Sequence, residues 1–218
     1  MTVQNNLGAL YNRLGDHARA AEILEVTLAA RRQVLGEHHL EVAVTGFHLA
    51  NALRRLQRAP EAESHYLQAL ETMRQAAGAR DRRVGLMLNA FAKFRLEQGD
   101  LAAAHTAISE ALDINLETWP EGHRTTAQSR LIAARIELAR GLPETAASLA
   151  EAALEVFDQT PGQKLTAAVA AATLALALHE LEQPERIETL RNRALATLQD
   201  QPRHQQLAQR LAAIEHNR

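Results

Sequence analysis

The sequence predicts an all-α fold built as a stack of helical hairpins, and three observations carry that prediction. The 218-residue chain is 46% hydrophobic but only 3% aromatic. Ala and Leu, both good helix formers, supply the apolar content, whereas a sheet sandwich would need β-branched and aromatic side chains. Residues recur in columns: Leu28, Leu70, Leu112, Leu154 and Leu195 are separated by 42, 42, 42 and 41 positions. Gly8, Ala50, Ala92, Ala134 and Ala175 keep the same register, and turn and cap residues punctuate each interval. A regular period of this kind marks a repeat whose units stack on one another.

Each unit reads as two helices. Leu7, Leu10 and Leu14 follow three- and four-residue steps, which predicts a first helix with an apolar stripe. Gly15 can take the left-handed conformation that ends it, and Asp16 can cap the next helix. Gly99-Asp100 repeats that punctuation. Pro60, Pro143 and Pro184 each stand at a predicted first helical position, where the missing N–H costs nothing. The second helices are predicted at 17–35, 60–77, 101–118, 143–158 and 184–199. The turn-rich stretches LGEHHLE, GARDRR, WPEGHR and TPGQK separate the units, which run roughly 1–39, 40–81, 82–123, 124–162 and 163–200 within a single domain, 1–218. Leu207, Leu211 and Ile214 predict a capping helix over 204–216.

Small residues explain how the hairpins meet. Gly8 and its equivalents leave room for a crossing helix. On the second helix, Ala20, Ala62, Ala104 and Ala146 do the same, with Ile187 in the fifth unit. A further column runs Thr27, Ala69, Ala111, Ala153 and Ala194.

Composition and spacing argue against several functions. A net charge of −2 gives no reason to expect nucleic acid or an acidic membrane as partner, and the near-neutral balance weighs against RNA reading by helical repeats. There is no cysteine for disulfides or thiolate chemistry. MTVQNNLGALY lacks the charged and apolar regions of a signal peptide, and LTAAVAAATLALAL is too short to span a bilayer. The chain is therefore expected to be cytoplasmic. His38, His39, Glu41 and His48 lack the helical pairing of a metal site, and His39 and His123 are read as turn residues. GLPETA lacks the lysine of a phosphate loop, and Ser64, Ser109, Ser129 and Ser148 are in no nucleophile elbow. No cofactor, metal or catalysis is expected.

Leu7-Gly8-x-x-Tyr11, Gly15, Ala20 and the Ala-Leu pair of the second helix resemble the tetratricopeptide repeat. The 42-residue period is longer than the usual ~34. It resembles the long variety of kinesin light chains and many bacterial proteins, as do VLGEHHLEVAVTGFHLANAL (34–53) and NNLGALY. His39 stands where that pattern commonly has proline. WPEGHRTTAQSRLIAARIELARG also resembles repeats attached to some bacterial serine/threonine kinases.

The resemblance implies a right-handed α-solenoid whose first helices line a concave groove. By register it places Asn5, Asn12, Arg13, Phe47, Asn51, Arg54, Arg55, Asn89, Lys93 and Arg135 on that groove. Amides can pair with the main chain of an extended peptide, and arginine forks suit carboxylates. Glu97 is the one counter-charge before the fifth unit. The expectation is a non-catalytic protein-interaction module. Its partner segment would be extended, bearing acidic residues or a free C-terminal carboxylate, and would lie across units one to four. The plainer reading keeps these arginines solvated, or pairs Arg54 and Arg55 with nearby glutamates. The alternative function is a sensory or regulatory domain that answers a signalling peptide and controls an effector domain absent from this chain. The short first helix at MTVQNN favours a truncated chain or a boundary cut inside an array. LTAAVAAATLALALHELEQ carries a wide apolar face, expected to lie under the terminal helix; its other use would be homo-oligomer formation through the C-terminal unit.

Overall fold

α-Helices joined by short turns make up the regular structure of residues 1–214, which the computed structural model describes. In order they are α1 (Thr2–Leu14), α2 (His17–Leu35), α3 (Leu40–Arg55), α4 (Ala59–Ala77), α5 (Arg82–Glu97), α6 (Leu101–Thr118), α7 (Arg124–Ala139), α8 (Pro143–Gln159), α9 (Lys164–Glu180), α10 (Ile187–Leu198) and α11 (Gln205–Ala212). Two 3₁₀ turns, Pro184–Arg186 and Pro202–His204, precede α10 and α11. No strand occurs among the described residues. The chain forms two compact units, Met1–Phe94 and a second beginning at Arg95.

The helix ends repeat one device five times. The N–H of Asp16 bonds to the carbonyl of Tyr11, Arg58 to Leu53, Asp100 to Arg95, Leu142 to Glu137 and Gln183 to Leu178, all at 2.9–3.0 Å. Each is the long bond of a Schellman ending, and each needs a left-handed residue just before the donor. Gly15, Gly99 and Gly141 supply it at φ of 89°, 78° and 74°. Gln57 and Glu182 take the same conformation at 61° and 54° without being glycine. Asp16 and Asp100 then cap α2 and α6, accepting from the N–H of Arg19 and of Ala103.

The turns between hairpins have their own column. His39 Nδ1 accepts from the N–H of Glu41, Asp81 Oδ1 from Arg83, and His123 Nδ1 from Thr125. The histidines read as turn residues thus hold helix starts. Pro143 opens α8, while Pro60 is second in α4 behind Ala59. Pro184 opens a 3₁₀ turn, so the fifth second helix starts at Ile187 rather than 184. Neither Gln183 nor Arg186 caps with its side chain, and orphan amides at a helix start tighten into such turns.

The small-residue columns are interior. Ala50, Ala92, Ala134 and Ala175 are fully buried, as are Ala20, Ala62, Ala104 and Ala146. A β-carbon on Gly8 would stand 2.6 Å from Leu24 Cγ. The predicted leucine stripe of α1 lies on the other side. Leu7, Leu10 and Leu14 are exposed, whereas Asn5 and Gly8 are buried. Two positions along a helix rotate the side chain by about 200°, so packing Asn5 and Gly8 inward turns Leu7, Leu10 and Leu14 outward.

In the second unit α9 packs against α7, α8, α10 and α11, and every residue from Ala167 to Leu178 is buried within the single chain. Leu211 and Ile214 are buried in the same core, with Leu207 packed against it. The helix predicted over 204–216 is α11; its last two predicted residues, Glu215 and His216, lie outside the described residues.

Candidate functional site

Nine of the ten register-derived groove residues lie in the first unit. Asn5, on α1, is buried, and its Oδ1 lies 3.1 Å from the Thr45 hydroxyl on α3. That hydroxyl accepts from Arg31 Nη1 at 2.6 Å and shares its proton between Asn5 and the Glu41 carbonyl. Arg31, 2% exposed, also donates to the Glu41 carbonyl and pairs with its carboxylate at 3.1 Å. Asn5 therefore serves the interior.

Asn12 Nδ2 donates to the His48 carbonyl at 2.9 Å, and its Oδ1 faces His17 Nδ1 at 3.2 Å. Asn51 Nδ2 donates to the Phe47 carbonyl, and its Oδ1 accepts from the Tyr66 hydroxyl at 3.0 Å. Each of these amides keeps one N–H beyond these bonds, since an amide has two donors. Asn89 differs. It is buried, and its Oδ1 has no hydrogen-bond partner among the described residues.

Phe47 is half-buried at the edge of an aromatic cluster that holds four of the chain's seven aromatic side chains. Its ring stands edge-on to Tyr66 at 6.0 Å; Tyr66 lies 5.9 Å from Phe91 and 5.4 Å from Phe94. Tyr66, fully buried, fixes both Asn51 and Phe47 and was not among the expected residues. Its only sequence signal is an aromatic on α4 where Leu24 stands one unit earlier.

Four cations accompany these groups. Arg13 and Arg55 are exposed, Arg54 and Lys93 half-buried. Arg54, Arg55 and Lys93 each interact with other groups of the chain. The tenth residue, Arg135, lies in the second unit on α7. It lines a cavity there with Arg203 and Arg210. Burial holds its guanidinium below the ordinary value; Glu97 pulls it up and Arg210 pushes it down.

Comparison with known families gives two matches, both to the tetratricopeptide repeat, over residues 1–41 and 44–117. Together they take in more than half of the sequence. The chain belongs to the tetratricopeptide repeat family. No curated protein matches it.

Solved structures similar to this tetratricopeptide repeat protein span nearly all of it. One consists of nearly identical kinesin-light-chain-type repeats from Podosopora anserina: 19% identity, 90% of this chain and 93% of that one, TM-score 0.73. BtubC (BKLC) from P. vanneervenii is 17% identical over 97% of this chain and 81% of its own, with a TM-score of 0.75. PilF of Pseudomonas aeruginosa is 18% identical over 97% and 82%, with a TM-score of 0.68. At such identities the likeness establishes the fold: an all-α tetratricopeptide-type solenoid of the kinesin light chain-like kind. Repeats of this family are in general protein-interaction modules, and the fold is that of non-catalytic scaffolds. No helix among the described residues is long and apolar enough to cross a membrane.

Proposed function

We propose that the first unit binds an extended segment of a partner protein, and that the segment carries acidic residues or a free C-terminal carboxylate. The observation that carries this reading is the buried Oδ1 of Asn89, within Met1–Phe94, which no donor among the described residues meets. The repeat register assigns it to the same groove as Arg13, Arg54, Arg55 and Lys93, all in the first unit. An unmet acceptor of this kind is uncommon in a folded protein, and a peptide N–H would meet it. The spare N–H groups of Asn12 and Asn51 can bond peptide carbonyls without selecting a sequence. The cations add preference for negative charge through charge-assisted bonds. Asn5 contributes by holding α1 to α3 rather than by touching the ligand.

Fluorescence polarisation against a library of acidic peptides, each with a free and an amidated C-terminus, tests the reading. Arg55→Ala and Lys93→Ala together are expected to weaken binding by about 1–3 kcal/mol. Equal affinity of wild type and the double variant for every bound peptide would remove the proposal. A loss on amidation would identify the carboxylate as the recognised group.

A further inference from the structure

A cavity of about 200 Å³ in the second unit gathers charge that the peptide site proposed in the first unit does not use. Arg135 reaches it from α7, Arg203 from the 3₁₀ turn before α11, and Arg210 from α11 itself. Leu138, Leu176 and Leu207 give the same cavity apolar wall. Among the described residues no carboxylate stands within ion-pair distance of these three guanidinium groups. Arg203 and Arg210 are exposed at the mouth, while Arg135 is half-buried. The charge of Arg135 is resisted by burial and by Arg210, and is offset among the described residues by Glu97. Gathering like charges without neutralising them is unfavourable, and a bound anion would relieve it.

The shape narrows the anion. Ligand sites for drug-sized molecules measure roughly 300–1,000 Å³, so this cavity suits something smaller. Arginine forks take carboxylate or phosphate oxygens bidentately, and the leucines call for a hydrocarbon body. Among the described residues, three cations against one carboxylate leave room for two negative charges. We propose that this cavity binds a small organic dianion, either a short-chain dicarboxylate or an aliphatic phosphate monoester. Arg135, Arg203 and Arg210 hold its oxygens, and Leu138, Leu176 and Leu207 enclose its body. The cavity's lining residues lie in the second unit, those of the proposed peptide face in the first.

Calorimetric titration of the full chain at low salt tests this with four probes: glutarate, n-butyl phosphate, butyrate and inorganic phosphate. One dianion with a hydrocarbon body is expected to bind saturably with Kd below about 1 mM, while butyrate and inorganic phosphate bind about tenfold or more weakly. The better of glutarate and butyl phosphate identifies the oxyanion. Arg203→Gln with Arg210→Gln changes exposed residues, keeps the melting temperature and is expected to weaken binding about tenfold or more. Arg135→Gln is expected to do the same, but the mouth variant decides if Arg135→Gln fails to fold. Absence of saturable binding by both dianions overturns the proposal. So does binding that the mouth variant leaves unchanged, or inorganic phosphate binding as well as its butyl ester.

Discussion

Leu24 fills the space that a side chain at Gly8 would occupy, its Cγ lying 2.6 Å from the position of a β-carbon there. Leu24 is completely buried, so it has nowhere to move. Gly8→Ala should therefore destabilise the protein by about 1–2 kcal/mol, overpacking outweighing the gain in helix propensity. Gly46, within α3, gives the opposite sign. A β-carbon there meets only Ala69 Cβ at 3.8 Å, an ordinary contact. Gly46→Ala should stabilise by about 0.5–1 kcal/mol. Urea unfolding of the two variants separates the effects, and equal signs would contradict the packing account.

Thr45 and Thr173 are both buried threonines on first helices, with unequal duties. The Thr45 hydroxyl accepts from Arg31 and donates towards Asn5, joining α1, α2 and α3. Among the described residues the Thr173 hydroxyl bonds only back to the Val169 carbonyl of its own helix. Thr45→Val should cost about 1–3 kcal/mol, because it leaves buried polar groups unmet, and Thr173→Val close to nothing. Matched denaturation curves are the measurement.

Gln57 and Glu182 hold a left-handed backbone that their side chains oppose. Replacing either with glycine should raise stability by about 1 kcal/mol despite the added freedom of the unfolded chain. A lower unfolding midpoint in both variants would show that their side chains contribute contacts that outweigh the backbone.

Burial, helped by the charge of Arg31, holds His48 below the ordinary histidine value. Burial lowers His65 too. Unfolded histidine titrates near ~6.5, so on acidification the unfolded chain takes up the proton first. The contribution of these residues to stability is whole above about pH 6.5 and is lost as pH falls from there towards their folded values. Thermal midpoints should drop between about pH 7.5 and 5.5, and His48→Gln should flatten part of that drop.

Helix ends were legible in the sequence because their chemistry is local: Gly15, Gly99, Asp16 and Asp100 announce themselves. Gln57 and Glu182 carry no such mark, and only the repeat register places them in the glycine column. The period of Leu7, Leu10 and Leu14 identified a helix but not its inward side, which Gly8 and Leu24 decide together. Asn12 and Asn51 were legible as positions, but their hydrogen bonds were not, since His48 and Tyr66 come from other helices. Arg135 joins Arg203 and Arg210 from α11 and the turn before it, outside the repeat, where periodicity has nothing to say.

The continuous burial of α9 from Ala167 to Leu178 has a bearing on how this part of the gene can vary. A helix with one wet side tolerates charge at every third or fourth codon. Along these twelve positions no such rhythm exists, so a saturation library should reject Lys and Glu at each of them.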